Sequence, residues 1–219
     1  MKQETPAWKP RGRFFSFGDP RGEVQGVVES RFMELHPTLW RTCRVLAGPT
    51  RLRLLKEIVT APDRTVSRLA SSIGISISRA SQELRRLNSR GLVRTLRIGP
   101  EVRYRHLTDP QVPSAKPLLE ALSQGLRRNP ESGEEECRRI AKAFTHPRRI
   151  AIGRELLRGT RTLSGLAFAL KMQTRTVSRH LRIMARCGMV KHQGSQFLFT
   201  PGSHPLARCL VHLIKQQSA

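Results

Sequence analysis

The chain repeats itself. Pro49-Thr50-Arg51-Leu52-Arg53-Leu54-Leu55-Lys56-Glu57 returns as Pro147-Arg148-Arg149-Ile150-Ala151-Ile152-Gly153-Arg154-Glu155. Thr65-Val66-Ser67-Arg68-Leu69-Ala70 returns as Thr162-Leu163-Ser164-Gly165-Leu166-Ala167, and Gly91-Leu92-Val93 as Gly188-Met189-Val190. Between these, Ala80-Ser81-Gln82-Glu83-Leu84 matches Val177-Ser178-Arg179-His180-Leu181. The offset is 98 in the first block and 97 afterwards, as one residue lost from an intervening loop would give. A repeat of this length is a duplicated domain rather than a solenoid unit. Each copy spans roughly 80–95 residues, enough to close a small core without disulfides or metal.

Within a copy, apolar periodicity and turn residues predict the same element order twice. Copy one reads as helices over about 37–47, 49–60, 65–72 and from Ser76 to Gly91, then a hairpin, then a helix over 114–126. Pro49 suits a helix's first turn, Thr65 and Ser76 suit N-caps, and Gly48, Gly74 and Gly91 stop helices. The hairpin alternates apolar with polar residues along 92–97 and 102–107. Copy two reads as helices near 134–145, 147–158, 162–170 and 173–187, a hairpin near 189–199 and a helix near 205–216. Its hairpin is shorter, a stub between Val190 and Phe197 with less basic charge. The predicted fold class is mainly α with small β-hairpins, as two tandem winged helix-turn-helix domains. The boundaries are an N-terminal arm over 1–35 with a short helix from Glu23 to Leu35, a first domain over 36–127, a linker over 128–133, and a second domain over 134–219 with a shortened wing.

Charge narrows the partner. The chain carries a formal +24, and its distribution is uneven. Residues 1–35 hold 6 basic and 5 acidic residues, net +1; residues 36–128 hold 18 and 6, net +12; residues 129–219 hold 16 and 5, net +11. Arginine makes up 32 of the 40 basic residues, which a GC-rich coding bias explains, but that bias does not explain the shortage of acids. Strongly basic repeats point to a polyanion, most simply nucleic acid.

A short helix, a tight turn and a second helix with a polar outer face form helix-turn-helix geometry. The second helix must be polar outside to enter a groove about 12 Å wide and meet base edges. In copy one that face offers Ser76, Ser78, Arg79, Ser81, Gln82, Arg85 and Arg86; in copy two it offers Gln173, Thr174, Arg175, Thr176, Ser178, Arg179, His180 and Arg182. Arg pairs with guanine and Gln with adenine, while Ser and Thr hold phosphates or read ambiguously. The alternative is an ordinary solvated face, but such faces mix Glu with Lys, and these two carry one acid, Glu83.

The run Leu46-Ala47-Gly48-Pro49-Thr50-Arg51-Leu52, then Val66-Ser67-Arg68-Leu69-Ala70, Gly74-Ile75-Ser76 and Gly91-Leu92-Val93-Arg94, resembles ArsR-type winged helix-turn-helix repressors. Val102-Arg103-Tyr104-Arg105-His106-Leu107 resembles the returning strand of that family's wing, and copy two matches best at Thr176-Val177-Ser178-Arg179-His180-Leu181. The resemblance implies duplex DNA as ligand and a role in transcription, with the fourth helix in the major groove and the wing on backbone or minor groove. By position it assigns Ser76, Ser78, Arg79, Ser81 and Gln82 to DNA in copy one, with Arg85 beside them. It assigns Gln173, Arg175, Thr176, Ser178 and Arg179 in copy two, and Arg97 and Arg103 as wing contacts. The metal motifs of that family are missing: no Cys-x-Cys lies in the third helix, and His204 and His212 are too far apart to chelate one ion alone. No metal and no cofactor is expected. Cys209 is expected to fill core.

Family members usually pair as homodimers, so two fused copies could act as a pseudo-dimeric monomer, with a homodimer as the alternative. The expected function is a double-stranded DNA-binding transcriptional regulator, most simply a repressor. The alternatives are nonspecific or architectural nucleic-acid binding and a winged-helix adaptor for protein contacts. No paired carboxylates, nucleophile-base arrangement or phosphate-binding Gly loop suggests an enzyme. The scattered cysteines and the lack of a signal peptide or spanning apolar run suggest the cytoplasm, at the nucleoid, with no membrane partner. Lys9, Arg11 and Arg13 among Trp8, Phe14 and Phe15 suit a minor-groove arm or a docking segment.

Overall fold

The computed structural model describes residues 38–216, and the predicted arm and its helix lie outside them. Copy one runs α1 (Leu39–Leu46), α2 (Pro49–Thr60), β1 (Arg64–Thr65), α3 (Val66–Ile73), α4 (Ile77–Asn88), β2 (Arg94–Ile98), β3 (Glu101–Arg105) and α5 (Ala115–Arg128). Copy two runs α6 (Gly133–Lys142), α7 (Pro147–Leu157), β4 (Arg161–Thr162), α8 (Leu163–Ala169), α9 (Thr174–Arg186), β5 (Val190–Gln193), β6 (Gln196–Phe199) and α10 (Pro205–Gln216). The helices predicted within the described residues form, with ends moved by a few residues.

Local chemistry sets these boundaries. Pro49 and Pro147 occupy the first turns of α2 and α7, where a missing N–H has no cost. Thr65 and Thr162 cap α3 and α8, each hydroxyl accepting from the backbone N–H three residues on. Gly74 ends α3 with φ +68°, a left-handed conformation that glycine adopts freely. Copy two places Lys171 there with φ +49°, which costs about 1 kcal/mol for a residue with a Cβ.

Each copy carries a three-stranded antiparallel sheet, ordered β1-β3-β2 and β4-β6-β5. The two-residue strands β1 and β4 pair with the returning wing strands, Arg64 opposite Tyr104 and Arg161 opposite Phe197. The wing of copy one has five residue pairs around a Gly99-Pro100 turn. That of copy two has four pairs around Gly194-Ser195, the shorter hairpin that the sequence predicts.

The two copies share one continuous core. α5 packs on α10, and α6 packs on α1, α2 and α5. Leu118, Leu122 and Leu126 of α5 are buried, as are Leu206, Leu210 and Ile214 of α10. α5 runs through Arg128 and α6 starts at Gly133, so only Asn129 to Ser132 connect them. The acidic triplet Glu134–Glu136 lies in the first turn of α6, where negative charge complements the helix dipole. Lys56 of α2 donates to the Pro130 carbonyl and to Glu134, both at 2.9 Å.

Close approach of α6 to α5 depends on Gly133. A Cβ there would lie 2.9 Å from the Gly125 carbonyl oxygen, a backbone atom that cannot step aside. Gly133→Ala should therefore destabilise the described body by about 1–3 kcal/mol, read as a lower urea midpoint for the chain.

Candidate nucleic-acid interface

α4 follows α3 after a turn of Gly74, Ile75 and Ser76, and its buried residues Ala80, Leu84 and Leu87 seat it on the core. That seating leaves Ser78, Arg79, Gln82, Arg85 and Arg86 exposed and Ser81 half-buried. Ser76 is also exposed, but its Oγ accepts from the Arg79 N–H at 3.3 Å as the helix cap. α9 is seated by Val177, Leu181 and Met184. It exposes Arg175, Arg179 and Arg182, with Gln173 exposed just before it and Thr176 and Ser178 half-buried. Among all these arginines, only Arg86 has an ion-pair partner within the described residues.

Two residues counted on these faces turn inward. The Glu83 side chain is 13% exposed, accepting from Arg51 of α2 at 2.6 Å and from Arg86 at 2.8 Å. Burial would raise its pKa, but the hydrogen bonds and charges of the two arginines outweigh that and hold the carboxyl below its usual range. The outer face of α4 therefore carries no acid at all. The equivalent position in copy two is His180, 4% exposed, its ring 4.8 Å from that of His146. Both His180 ring nitrogens lack a hydrogen-bond partner among the described residues. Burial, then the charge of His146, Arg149, Arg179 and Arg148, push its pKa down to about 4.

Arg51 and its counterpart Arg149 share a structural task. Arg51 donates to the carbonyls of Val45 and Arg44 at the end of α1. Arg149 donates to those of Ala143 and Lys142 at the end of α6, at 2.9 and 3.3 Å. Copy one then matches this arginine with a carboxylate, whereas copy two surrounds it with neutral imidazole.

The wing separates two residues that the sequence grouped. Arg97 lies opposite Val102, on the face shared by Thr95 and buried Tyr104, while Arg103 lies opposite Leu96 on the other face. Directly paired residues share a face and neighbours along a strand alternate, so the two arginines cannot meet one surface together. Arg103 is also bound to Glu101, donating from Nε at 3.1 Å and Nη2 at 2.9 Å. Arg97 is exposed without an ion pair among the described residues, as is Arg94, which the sequence did not single out. Its signal was only its place in the alternation of β2. In copy two, Lys191 is the exposed cation of the wing.

Among the described residues, no three or more His, Cys, Asp or Glu are arranged to hold a metal ion. His204 lies 3.8 Å from Glu136 and 4.0 Å from the Cys137 sulfur. His212 is exposed, its Nε2 2.9 Å from Gln216. Cys209 is half-buried against the core.

Two substitutions test the inward pair. A carboxyl with a depressed folded pKa stabilises above its unfolded value and loses that contribution as pH falls through the folded one. Glu83→Gln should thus cost about 2 kcal/mol at neutral pH, with the gap to the natural chain closing below about pH 4 in urea titrations. His180 works in the opposite sense: the native state keeps it neutral, so stability falls as pH drops from about 6.5 toward its folded pKa of about 4. His180→Leu should raise Tm and flatten the acid limb over that window.

The chain matches the model of one family, the bacterial regulatory proteins of the arsR family, twice, over residues 48–95 and 146–192. No curated protein matches the chain. The two matches cover both turn-and-helix segments and reach into the first strand of each wing. The chain is a tandem duplication of arsR-type winged helix-turn-helix domains, and in class a DNA-binding transcriptional regulator.

Proposed function

We propose that the chain is a sequence-specific repressor that works as an intramolecular pseudo-dimer on one asymmetric duplex site. The observation that carries this reading is the junction: the last helices α5 and α10 pack together, as do the first helices α1 and α6. A homodimer of single domains would bring two equivalent outer faces to one duplex through such a pairing. Here the two faces differ, Ser78, Arg79, Ser81, Gln82 and Arg85 on α4 against Gln173, Arg175, Thr176, Ser178 and Arg179 on α9. The two half-sites would differ accordingly.

In this reading Arg79, Arg85, Arg175 and Arg179 supply bidentate contacts to guanine or clamp phosphates, and Gln82 and Gln173 suit adenine. Ser76 contributes mainly through the helix terminus it caps. Arg97 provides the wing contact of copy one, and Arg103 serves to hold the wing through Glu101. The net charges of both copies supply the sequence-independent part of the affinity. Repression needs only occupancy of a promoter, which a body of this size achieves without a polymerase-contacting surface. Its place of action would be the nucleoid.

Selection from a randomised duplex library under heparin competition tests the reading. It predicts an enriched site without palindromic symmetry; no enrichment, with binding that collapses as salt rises, would leave only nonspecific or architectural binding. On the enriched site, Arg79→Ala and Arg175→Ala should each cost about 1–3 kcal/mol and relax preference in different halves, read by competition with half-site variants.

A further inference from the structure

The ends of α1 and α4 enclose a cleft of about 510 Å³ lined by Trp40, Arg41, Arg44, Arg51, Arg86 and Arg90. Five guanidiniums converge there. A guanidinium cannot shed its proton inside a protein, so titration cannot relieve their repulsion. The carboxylate beside them, Glu83, is already held by Arg51 and Arg86. Arg41, Arg44 and Arg90 have no carboxylate partner among the described residues, and Nε of Arg90 is buried without a hydrogen bond. Arg41 rests over the Trp40 ring, 5.1 Å from its centroid, a contact that consumes none of its N–H donors. Cations gathered without carboxylate partners repel one another, and an anion with several oxygens would offset that for the guanidinium groups lining the cleft.

The fold does not require the whole cluster, because copy two keeps only Arg139, Lys142 and Arg149 of its five cations. The positions of Arg86 and Arg90 are taken there by Ile183 and Cys187, the latter buried. Trp40 is replaced by Arg138, which is paired with Glu135. The two positions that α4 and its end supply are apolar or thiol in copy two and cationic in copy one.

We propose that this cleft binds a free polyphosphate chain, bare or carried on a nucleoside. Such a chain presents successive oxygens to several guanidinium forks at once, whereas one phosphate reaches only some of them. The test is calorimetric titration of the full chain, without DNA, with tripolyphosphate at about 0.2 M salt, where exposed charges more than a Debye length apart are screened. One saturable site is expected. Its affinity should fall at least ten-fold in Arg41→Ala/Arg44→Ala, both exposed positions, and in Arg90→Gln. It should be unchanged in Arg139→Ala/Lys142→Ala, the corresponding pair of copy two, and in Arg175→Ala/Arg179→Ala on α9. Tighter binding of ATP than of tripolyphosphate would assign a nucleotide, and weaker binding the bare chain. Absence of a saturable site, or equal losses in the α9 variant, would overturn the proposal. So would an Arg41→Ala/Arg44→Ala chain that keeps tripolyphosphate but loses duplex affinity, since those arginines would then hold DNA backbone.

Discussion

Apolar packing between the terminal helices of the two copies fixes where every other functional element can stand. α5 and α10 press buried leucines together, and α6 lies against α1 and α2, so the core of copy one continues into copy two. Each fully buried leucine contributes about 1.5–3 kcal/mol. The part-exposed Lys56–Glu134 pair across the same junction adds no more than about 1 kcal/mol. The junction is therefore an apolar one with an ionic latch, and α4 and α9 are carried on it as parts of one body.

Within that frame the copies have diverged where packing allows a choice. Both use an arginine of the second helix to satisfy the carbonyls ending the first. Copy one balances that arginine with Glu83, and copy two places His180 alongside it, neutral and without hydrogen bonds. Turn chemistry differs as well, Gly74 against Lys171 at the same left-handed position. Copy one also gathers arginines at the end of α4 where copy two has Ile183 and Cys187. Duplication kept the scaffold and released the surfaces.

Much of this was legible in the chain. Helices announced themselves through periodicity and through Pro49, Pro147, Gly74 and Gly91, since proline and glycine act locally and at fixed places in a helix. Arg64–Thr65 and Arg161–Thr162 went unseen as strands because two residues cannot show alternation; only the partner strand defines them. The inward turn of Glu83 depends on Arg51, 32 residues away, and no spacing rule reveals such a pair. The opposite facing of Arg97 and Arg103 is a property of wing register, which the turn decides. Likewise Trp40 and Arg90 meet only in three dimensions.

One measurement bears most directly on the pseudo-dimer. Sedimentation equilibrium of the chain on its selected duplex, paired with a hydroxyl-radical footprint, counts chains and grooves together. The account predicts one chain of 24.8 kDa per duplex and protection of two major-groove segments about one helical turn apart. Two chains per duplex, or protection of a single groove segment by one chain, would contradict it.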